Sequence, residues 1–310
     1  MPTFVRIGAT AILAVAGMGV GTTVATPASP TQIAYVGKIP ELHRYALYTI
    51  NSDGSDRQLI TPRGGVAGYT TFTWSPDGQQ ITFAGGTDDN QQIAVVNANG
   101  SGLKRLTAGA LSSRNPSWSP DGTLIVFERD DAASRSQVWV MRPDGTGKRK
   151  LTHSAQQNEW PAWSPGGDKI LFERYFSGTH MELYTMSPDG ADKLRIARVR
   201  TRPDAGGWYC ACADWSPDGK KIAYEAVATE TQKPDIFVMN ANGKRKRRLT
   251  RHPSRDENPA WSLDGTQIAF YSERVGNAEI YAMKADGTNQ HRLTHDPWYD
   301  CCPRWKPTPR

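Results

Sequence analysis

The sequence predicts an all-β fold, a six-bladed β-propeller with four antiparallel strands in each blade. The first observation is a phrase that recurs five times, as TWSPDG, SWSPDG, AWSPGG, DWSPDG and AWSLDG. The second is the spacing of the tryptophans, which is 44, 45, 52, 46 and 44 residues and is typical of propeller blades. The third is a sixth copy that breaks off after its tryptophan near the C-terminus. The tryptophans are Trp74, Trp118, Trp163, Trp215, Trp261 and Trp305.

The first two strands of each repeat flank a tight turn. The first strand ends at the tryptophan, and Ser75–Gly78 shows the turn that follows. Proline presets φ at its second position, and glycine accepts the positive φ that closes it. The second strand is rich in β-branched and aromatic residues, which favour strands. These second strands are predicted at 81–84, 124–127, 170–173, 222–225 and 268–271.

The third and fourth strands complete each blade. Third strands are predicted at 93–96, 138–141, 183–186, 236–239 and 280–283. A second tight turn ending in glycine follows each one, and Asn or Asp in these turns tolerates left-handed backbone. The fourth strands end in Leu-Thr at 106–107, 151–152, 249–250 and 293–294. Short apolar runs of period two, bounded by turns, exclude a helical fold.

The two chain ends are predicted to share one blade. Residues 32–36, 47–50 and 58–61 match the second, third and fourth strands of a repeat that lacks its first strand. Residues 302–307 match a first strand with nothing after it. The C-terminal strand therefore completes the first blade and closes the ring, so that no sheet edge is left by an incomplete blade.

The pattern W-S-P-D-G, followed by an I-A-F-like strand, I-Y-V-M, D-G and R-L-T, resembles the TolB-type propeller repeat over about residues 31–310. TolB is the periplasmic component of the Tol–Pal envelope system, so the resemblance implies an exported propeller that binds protein. TolB proteins also carry an N-terminal α/β domain, which this sequence lacks, and a direct Tol–Pal role is therefore not implied. Similar propellers form the non-catalytic domain of some prolyl-oligopeptidase-type peptidases, but no hydrolase domain follows here.

The N-terminal residues predict export. One positive charge lies within Met1–Arg6, and Ile7–Val24 is uncharged and apolar or small. Small residues follow, including Ala25 and Ala28, as at a cleavage site. We therefore expect a signal peptide at residues 1–28 and a mature propeller at 31–310, in the periplasm or outside the cell. An uncleaved membrane anchor is the alternative, although the stretch is near the lower length limit for a span.

Composition and charge limit the classes of partner that the protein is expected to bind. The chain has 310 residues, 38% hydrophobic and 22% charged, which is ordinary for a folded domain. The net charge is +6, with its densest basic run at Lys244–Arg248. Such a run permits nucleic-acid binding, but an exported protein seldom meets nucleic acid. We therefore favour a solvent-exposed edge strand whose positive charges discourage pairing with other strands. We expect no nucleic-acid partner, no stable membrane span after cleavage, and a monomer.

The sequence carries no recognisable catalytic motif. It contains no G-x-S-x-G nucleophile elbow, no H-E-x-x-H zinc helix and no Gly-rich phosphate loop. His153, His252 and His295 follow Leu-Thr at one repeated position. Equivalent positions on different blades lie around a ring and rarely converge, so these histidines are interpreted as a shared loop feature rather than as a metal site.

The loops that enter the first strands are the predicted binding surface. First strands lie nearest the propeller axis, so these loops open at one mouth of the channel, and they vary between blades as RNPSW, NEWPAW, WYCACADW, DENPAW and WYDCCPRW. Aromatic residues beside carboxylates on such loops are typical of binding surfaces, whereas the Asn-Pro pairs equally suit plain turns. An acidic mouth could also hold Ca²⁺. The candidates are Asn115, Asn158, Glu159, Trp160, Trp208, Tyr209, Asp256, Glu257, Asn258, Trp298, Tyr299 and Asp300.

The cysteines lie in the same loops. Cys210 and Cys212 precede the first strand of the fifth blade, and Cys301 and Cys302 precede Trp305. Export favours disulfides. A bridge between the two loops needs Cα atoms within about 7 Å, and strained local bridges within each pair are the rival. A soft-metal site of four thiolates is a third option that an oxidising compartment disfavours.

Two functions follow from these features. The favoured one is a non-catalytic, exported propeller that binds a protein or peptide of the cell envelope at its channel mouth, without a cofactor. The alternative is a propeller enzyme, lyase-like or lactonase-like, with or without metal assistance, that acts on a polysaccharide or small metabolite. His and carboxylate side chains converging on one mouth would distinguish the enzyme.

Overall fold

The computed structural model describes residues 32–39, 44–61, 65–66, 72–87, 89–177, 180–200, 211–229, 232–295, 297 and 299–307. Within these ranges the strands form six four-stranded antiparallel sheets, one per blade. The predicted all-β propeller is confirmed. The predicted signal peptide at residues 1–28 lies outside the described residues and stays a prediction.

The strands of each blade run up and down from the channel to the rim, and β24, β4, β8, β12, β16 and β20 are the inner strands. Blade 1 contains β1 (Gln32–Ile39), β2 (Arg44–Asn51), β3 (Gln58–Leu59) and β24 (Asp300–Trp305). Blade 2 contains β4 (Phe72–Trp74), β5 (Gln80–Thr87), β6 (Asn90–Asn97) and β7 (Lys104–Arg105). Blade 3 contains β8 (Ser113–Trp118), β9 (Ile125–Asp130), β10 (Ser136–Met141) and β11 (Arg149–Lys150).

The other three blades repeat this plan. Blade 4 contains β12 (Asn158–Trp163), β13 (Ile170–Ser177), β14 (His180–Met186) and β15 (Leu194–Arg200). Blade 5 contains β16 (Asp214–Trp215), β17 (Lys221–Val227), β18 (Pro234–Asn240) and β19 (Arg247–Arg248). Blade 6 contains β20 (Asp256–Trp261), β21 (Gln267–Ser272), β22 (Glu279–Lys284) and β23 (His291–Arg292).

The core lies between neighbouring blades, and each repeated tryptophan joins two of them. Trp118 of blade 3 packs with Ile93 of blade 2, and Trp163 of blade 4 packs with Val126 of blade 3. The Trp118 indole Nε1 also donates to Thr82 Oγ1 of blade 2 at 2.8 Å. Burial of this large apolar area from both sides is the main force that holds blades together.

The turn after each tryptophan is fixed by its own residues. Ser75 Oγ accepts the Gln80 N–H at 2.9 Å, and the Gly78 N–H donates to Ser75 O at 2.8 Å. Gly78 has φ +67°, and a Cβ there would lie 2.5 Å from Pro307 O of the closing segment. Only glycine therefore fits this turn, as the sequence predicts.

A threonine lies two residues after the fourth strand in five blades. Its Oγ1 accepts an N–H from the third strand at 2.9–3.0 Å, in the position that a main-chain carbonyl would occupy in a continuing ladder. Each of these fourth strands is two residues long. The threonines are Thr61, Thr107, Thr152, Thr250 and Thr294.

The predicted ring closure is confirmed. The pairing of β24 with β1 is antiparallel, with Ile33 opposite Trp305 and Gly37 opposite Asp300. It continues past the strand, because the Lys306 N–H donates to Gln32 O at 2.8 Å. Blade 1 is thereby built from both chain ends. Within the described ranges, no helix has the length and hydropathy needed to cross a membrane.

The closing strand should carry a large share of the stability. Trp305 is 7% exposed, packs in the cluster shared by blades 6, 1 and 2, and donates from Nε1 to Ala260 O at 3.0 Å. We expect Trp305→Ala to lower the free energy of unfolding by about 3–5 kcal/mol. Leu103→Ala, at a site 53% exposed, should change it by less than about 0.5 kcal/mol. Urea unfolding of both variants measures this, and equal small losses would contradict it.

Candidate functional site

The inner strands carry a β-bulge near one end of the channel, called here the upper mouth, where these strands begin. The residue three positions before each tryptophan has a left-handed backbone in five blades. Pairing with the second strand shifts register beside this residue in blades 1, 3, 4 and 6. A bulge turns side chains out of the ladder, here toward the mouth. These residues are Asn115 (φ 52°), Trp160 (52°), Cys212 (43°), Asn258 (54°) and Cys302 (58°).

Three buried glutamates brace these bulges from the preceding blade. Glu128, Glu173 and Glu225 occupy one equivalent position on the second strands of blades 3, 4 and 5 and are 1–2% exposed. Each accepts a main-chain N–H from the inner strand of the next blade or, in blade 5, from the segment that enters it, so the upper mouth is held by contacts between blades. The distances are Glu128 Oε2 to Trp160 N 3.4 Å, Glu173 Oε2 to Ala211 N 2.9 Å, and Glu225 Oε2 to Asn258 N 2.7 Å.

Burial changes the protonation of this layer. It raises the pKa of Glu173 to about 8, an effect that the Ala211 N–H opposes and the charge of Glu159 reinforces. Burial and the charge of Glu128 raise the pKa of Glu159 to about 8. Burial, with the charge of Glu257, raises the pKa of Glu225 well above its ordinary range. The upper mouth therefore holds carboxyl groups that bind protons near neutral pH.

Several predicted mouth residues are buried and brace the scaffold. The Asn115 Nδ2 donates to Glu128 Oε2 at 2.9 Å, and Arg274 Nη2 donates to both carboxylate oxygens of Asp256 at 3.0 Å. At most 8% of each of these residues is exposed, so a bound partner would touch little of them. The buried set is Asn115, Asn158, Asp256, Asn258 and Asp300.

Four predicted residues keep partly accessible side chains at the upper mouth. They are Glu159, Trp160, Glu257 and Tyr299. The Tyr271 hydroxyl donates to the Glu257 carboxylate, and the Tyr271 and Tyr299 rings lie 5.8 Å apart, so blade 6 and the closing strand share an aromatic–acid cluster. Trp208, Tyr209, Cys210 and Trp298 lie outside the described residues, and their predicted roles stay predictions.

The cysteines divide into two states. Cys212 is disulfide-bonded, with a partner outside the described residues. Cys301 and Cys302 are buried free thiols whose Sγ atoms lie 2.8 Å apart. Hydrogen bonding with Cys302 and burial raise the pKa of the Cys301 thiol well above its ordinary range, which keeps it protonated.

Two cavities lie along the channel and meet at a ring of residues. The upper cavity, about 120 Å³, is lined by Phe72, Pro116, Trp160, Pro161 and Cys212 among others. The lower cavity, about 670 Å³, opens where the inner strands end. All six repeated tryptophans line it, with Pro76, Pro120, Pro165, Pro217 and Pro307. Thr73, Ser117, Trp163, Asp214 and Arg304 border both cavities.

One opposite-charge pair borders the meeting point of the cavities. The residue just before each tryptophan lines the channel, and the only charged ones are Asp214 and Arg304. Burial raises the pKa of Asp214, while the Arg304 charge and the Trp261 N–H, 2.8 Å from Asp214 Oδ2, oppose that rise. The sequence interpretation missed this pair. Its signal was available, since no other repeat has a charge at that position.

Within the described ranges, no group of three or more His, Cys, Asp or Glu side chains is arranged to hold a metal ion. His153 and His295 are exposed, and the ring Nδ1 of His252 accepts the Ser254 N–H at 3.1 Å within its own loop.

Comparison with known proteins gives one family match. The family described as the TolB beta propeller domain matches residues 65–205 and 199–310. Among curated proteins, dipeptidyl-peptidase 5 of Porphyromonas gingivalis is 34% identical over 68 residues, and an uncharacterised protein of Agrobacterium fabrum is 35% identical over 65. Each alignment covers 21% of this chain, and the two cover only 10% and 22% of those relatives' own lengths.

Solved structures share the fold. TolB of Acinetobacter baumannii superposes with a TM-score of 0.75 at 21% identity, covering 90% of this chain and 67% of that one. A putative TolB of Agrobacterium tumefaciens gives 0.66 at 17% identity, covering 90% and 100%. An oligogalacturonate lyase in complex with manganese gives 0.55 at 15% identity, covering 76% and 70%. At these identities the likeness shows the fold alone.

The raised pKa of Glu173 predicts a pH dependence of stability. Between its unfolded pKa of about 4.3 and its folded pKa of about 8, the folded state binds the extra proton, so stability falls as pH rises through that window. Each unit by which the folded pKa exceeds the unfolded one is worth about 1.4 kcal/mol, and each kcal/mol about 2–4 °C in Tm. Thermal unfolding from pH 5 to pH 8 should show a smaller fall in Tm for Glu173→Gln than for wild type.

The matched control is Glu273→Gln, because Glu273 lies at the end of blade 6's second strand with 35% of its side chain exposed. It should keep the wild-type slope of Tm against pH. If Glu173→Gln keeps that slope as well, the Glu173 carboxyl does not bind its proton in the way inferred from its burial.

The cysteine states predict an order of chemical modification. Cys301 and Cys302 are 1% and 3% exposed, so iodoacetamide should label them only after the protein unfolds. Cys212 should be labelled only after unfolding and reduction together. Peptide mass mapping after each treatment distinguishes these cases. Labelling of Cys212 without reductant, or resistance of Cys301 and Cys302 in unfolded, unreduced protein, would reassign the pairing.

Proposed function

The chain belongs to the TolB β-propeller domain family, and we propose that it is an exported, non-catalytic scaffold that binds a protein or peptide of the cell envelope at the upper mouth of its channel. Export rests on the leader expected at residues 1–28, and the compartment is the periplasm or the cell exterior. The propeller supplies a rigid frame, and the loops entering its inner strands supply the contacts.

The observation that carries this proposal is the backbone of Trp160. A bulky residue rarely adopts φ near +52°, whereas asparagine tolerates it and stands at the equivalent position in blades 3 and 6. A strained conformation persists where the surroundings hold it, often at sites of function. The bulge leaves the Trp160 side chain partly accessible and lining the upper cavity. Tryptophan is among the residues that most often anchor interfaces.

The chemistry around Trp160 fits a short protein segment. Phe72, Pro116 and Pro161 give the upper cavity apolar walls, and about 120 Å³ admits a single side chain. The Asp214–Arg304 pair lies at the cavity floor, and the partly accessible carboxyl groups of Glu159 and Glu257 lie on the inner strands β12 and β20. An apolar side chain could enter the cavity while polar groups of the same segment meet these carboxyl groups.

The test uses a substitution that keeps the bulge. Trp160→Asn installs the residue that blades 3 and 6 carry at this position, so it removes the indole without opposing the left-handed backbone. Pull-down from envelope extract, with the mature propeller as bait, should recover a partner with wild type and lose it with Trp160→Asn at an unchanged Tm. Trp139→Ala, which removes a tryptophan from the packing of blade 3, should retain capture. Retained capture by Trp160→Asn would move the site away from the upper mouth.

A propeller enzyme is the second candidate. Carboxyl groups that hold protons near pH 8, as Glu159 and Glu173 do, suit general acid–base chemistry. The fold is shared with an oligogalacturonate lyase. Release of unsaturated product from oligogalacturonate, with and without Mn²⁺, measures this activity. Turnover that disappears in Glu159→Gln would establish the enzyme, and its absence under both conditions would leave the scaffold.

A further inference from the structure

Blade 4 differs from the other blades at its outer edge. Its fourth strand, β15, runs for seven residues from Leu194 to Arg200, whereas the fourth strands of the other five blades each have two. The pairing with β14 extends to Met181 opposite Val199 and His180 opposite Arg200. The described part of the chain therefore has one long outermost strand.

One missing hydroxyl distinguishes β15 from its counterparts in the other blades. Ala197 occupies the position of the threonine that follows the fourth strand elsewhere, while its surroundings follow the common plan. Arg195 pairs with Glu182 at 2.7 Å, as Arg248 pairs with Asp235 at 2.7 Å in blade 5. Without a hydroxyl to accept the third strand's N–H, the main-chain ladder continues, with Leu183 opposite Ala197 and Glu182 opposite Arg198.

The extension projects on the same face as the upper mouth. Inner strands begin at that face, so the antiparallel order of the blade ends β13 and β15 there and begins β14 there. Near Ile196 the strand is covered by the next blade, where a Cβ on Gly243 would collide with the Ile196 carbonyl. Beyond this contact, the Lys246 Nζ reaches the Arg198 carbonyl at 3.3 Å. Residues 198–200 thus lie past the main-chain contact between blades and meet blade 5 through the Lys246 side chain.

The surface of this edge is basic and partly apolar. Arg198 and Arg200 are exposed, and Val199 between them is 2% exposed. A cavity of about 420 Å³ is lined by His180 and residues 198–200. The Phe176 ring, 44% exposed, stacks on His180 with ring centroids 6.0 Å apart. The turn between β14 and β15 carries acidic residues, but it lies at the opposite end of β15 from residues 198–200.

A long outer strand is a template for pairing with another strand. Arginine at alternate positions repels a second copy of the same edge but attracts carboxylates at the matching positions of an incoming strand. We propose that the edge of β15 docks an extended acidic segment of a partner protein by strand addition. Main-chain hydrogen bonds would give affinity, and Arg198 and Arg200 would select for acid. The site is separate from the channel, so its loss leaves the proposed function standing.

A peptide experiment tests this directly. The probe is a fluorescein-labelled octapeptide of alternating glutamate and valine, followed by anisotropy on the mature propeller. Saturable binding is expected. A lysine–valine peptide of the same pattern should not bind, because its charges repel the arginines. A glutamate–valine peptide with two interior prolines should not bind either, because proline cannot complete the ladder.

Two variants of β15 separate the contribution of strand pairing from that of the positive charge. Arg198→Glu with Arg200→Glu should weaken binding by at least about tenfold, and Lys104→Glu with Arg105→Glu makes the same charge change on β7 and should leave binding unchanged. Ala197→Thr restores the hydroxyl of the other blades and should end β15 early. Faster amide exchange at residues 198–200 at unchanged Tm would verify that, and binding should then be lost.

Four results would overturn the proposal. The proline peptide could bind as tightly as the parent, which would indicate charge attraction without strand pairing. The β7 control could lose as much affinity as the β15 variant, which would indicate a general effect of net charge. Finally, the wild-type propeller could fail to bind the glutamate–valine peptide saturably. Dimerisation through the β15 edge, which sedimentation at increasing concentration would reveal, would overturn the proposal in the same way.

Discussion

The pairing of β24 with β1 is the constraint on which the structure depends. A propeller blade packs on two neighbours, so the ring is complete only when the last inner strand returns to the first sheet. The register Ile33 to Trp305 places that strand's tryptophan among residues of blades 6, 1 and 2. The same register sets the Cys302 bulge and Arg304 at the channel. Closure and the geometry of the channel thus arise from one set of contacts.

The second level of organisation is the layer of bulges and buried glutamates. Each bulge turns an inner-strand residue out of the ladder, and carboxylates from preceding blades hold several of them by accepting main-chain N–H groups. Burying a carboxyl group has a cost in free energy, which raises the pKa of Glu173 and Glu225. This layer therefore lowers the stability of the fold at higher pH while it fixes the geometry of the upper mouth. That arrangement suits the proposed role of the surface, which is to present Trp160 in one orientation.

The fold was predictable because its signals are local and repeated. The tryptophan spacing, the Ser-Pro-Asp-Gly turns and the split first blade each follow from residue identity, and the structure confirms them. The site was less predictable, because burial depends on packing between blades. Asn115 and Asp256 have the composition of a binding loop but are covered by neighbouring strands. The left-handed backbone at position 160 is part of the repeat. The departures are the tryptophan that stands there, where blades 3 and 6 have asparagine, and in β15 an alanine where other blades have threonine.

The claim that the upper mouth binds the partner is tested most directly by photo-crosslinking in the cell. p-Benzoylphenylalanine at position 160 would report what lies within reach of that side chain, and the same group at position 103, on the outer side of blade 2, would serve as control. The account predicts one discrete crosslinked partner from position 160 and none from position 103. The same crosslinks from both positions, or a partner captured from position 103 alone, would contradict it.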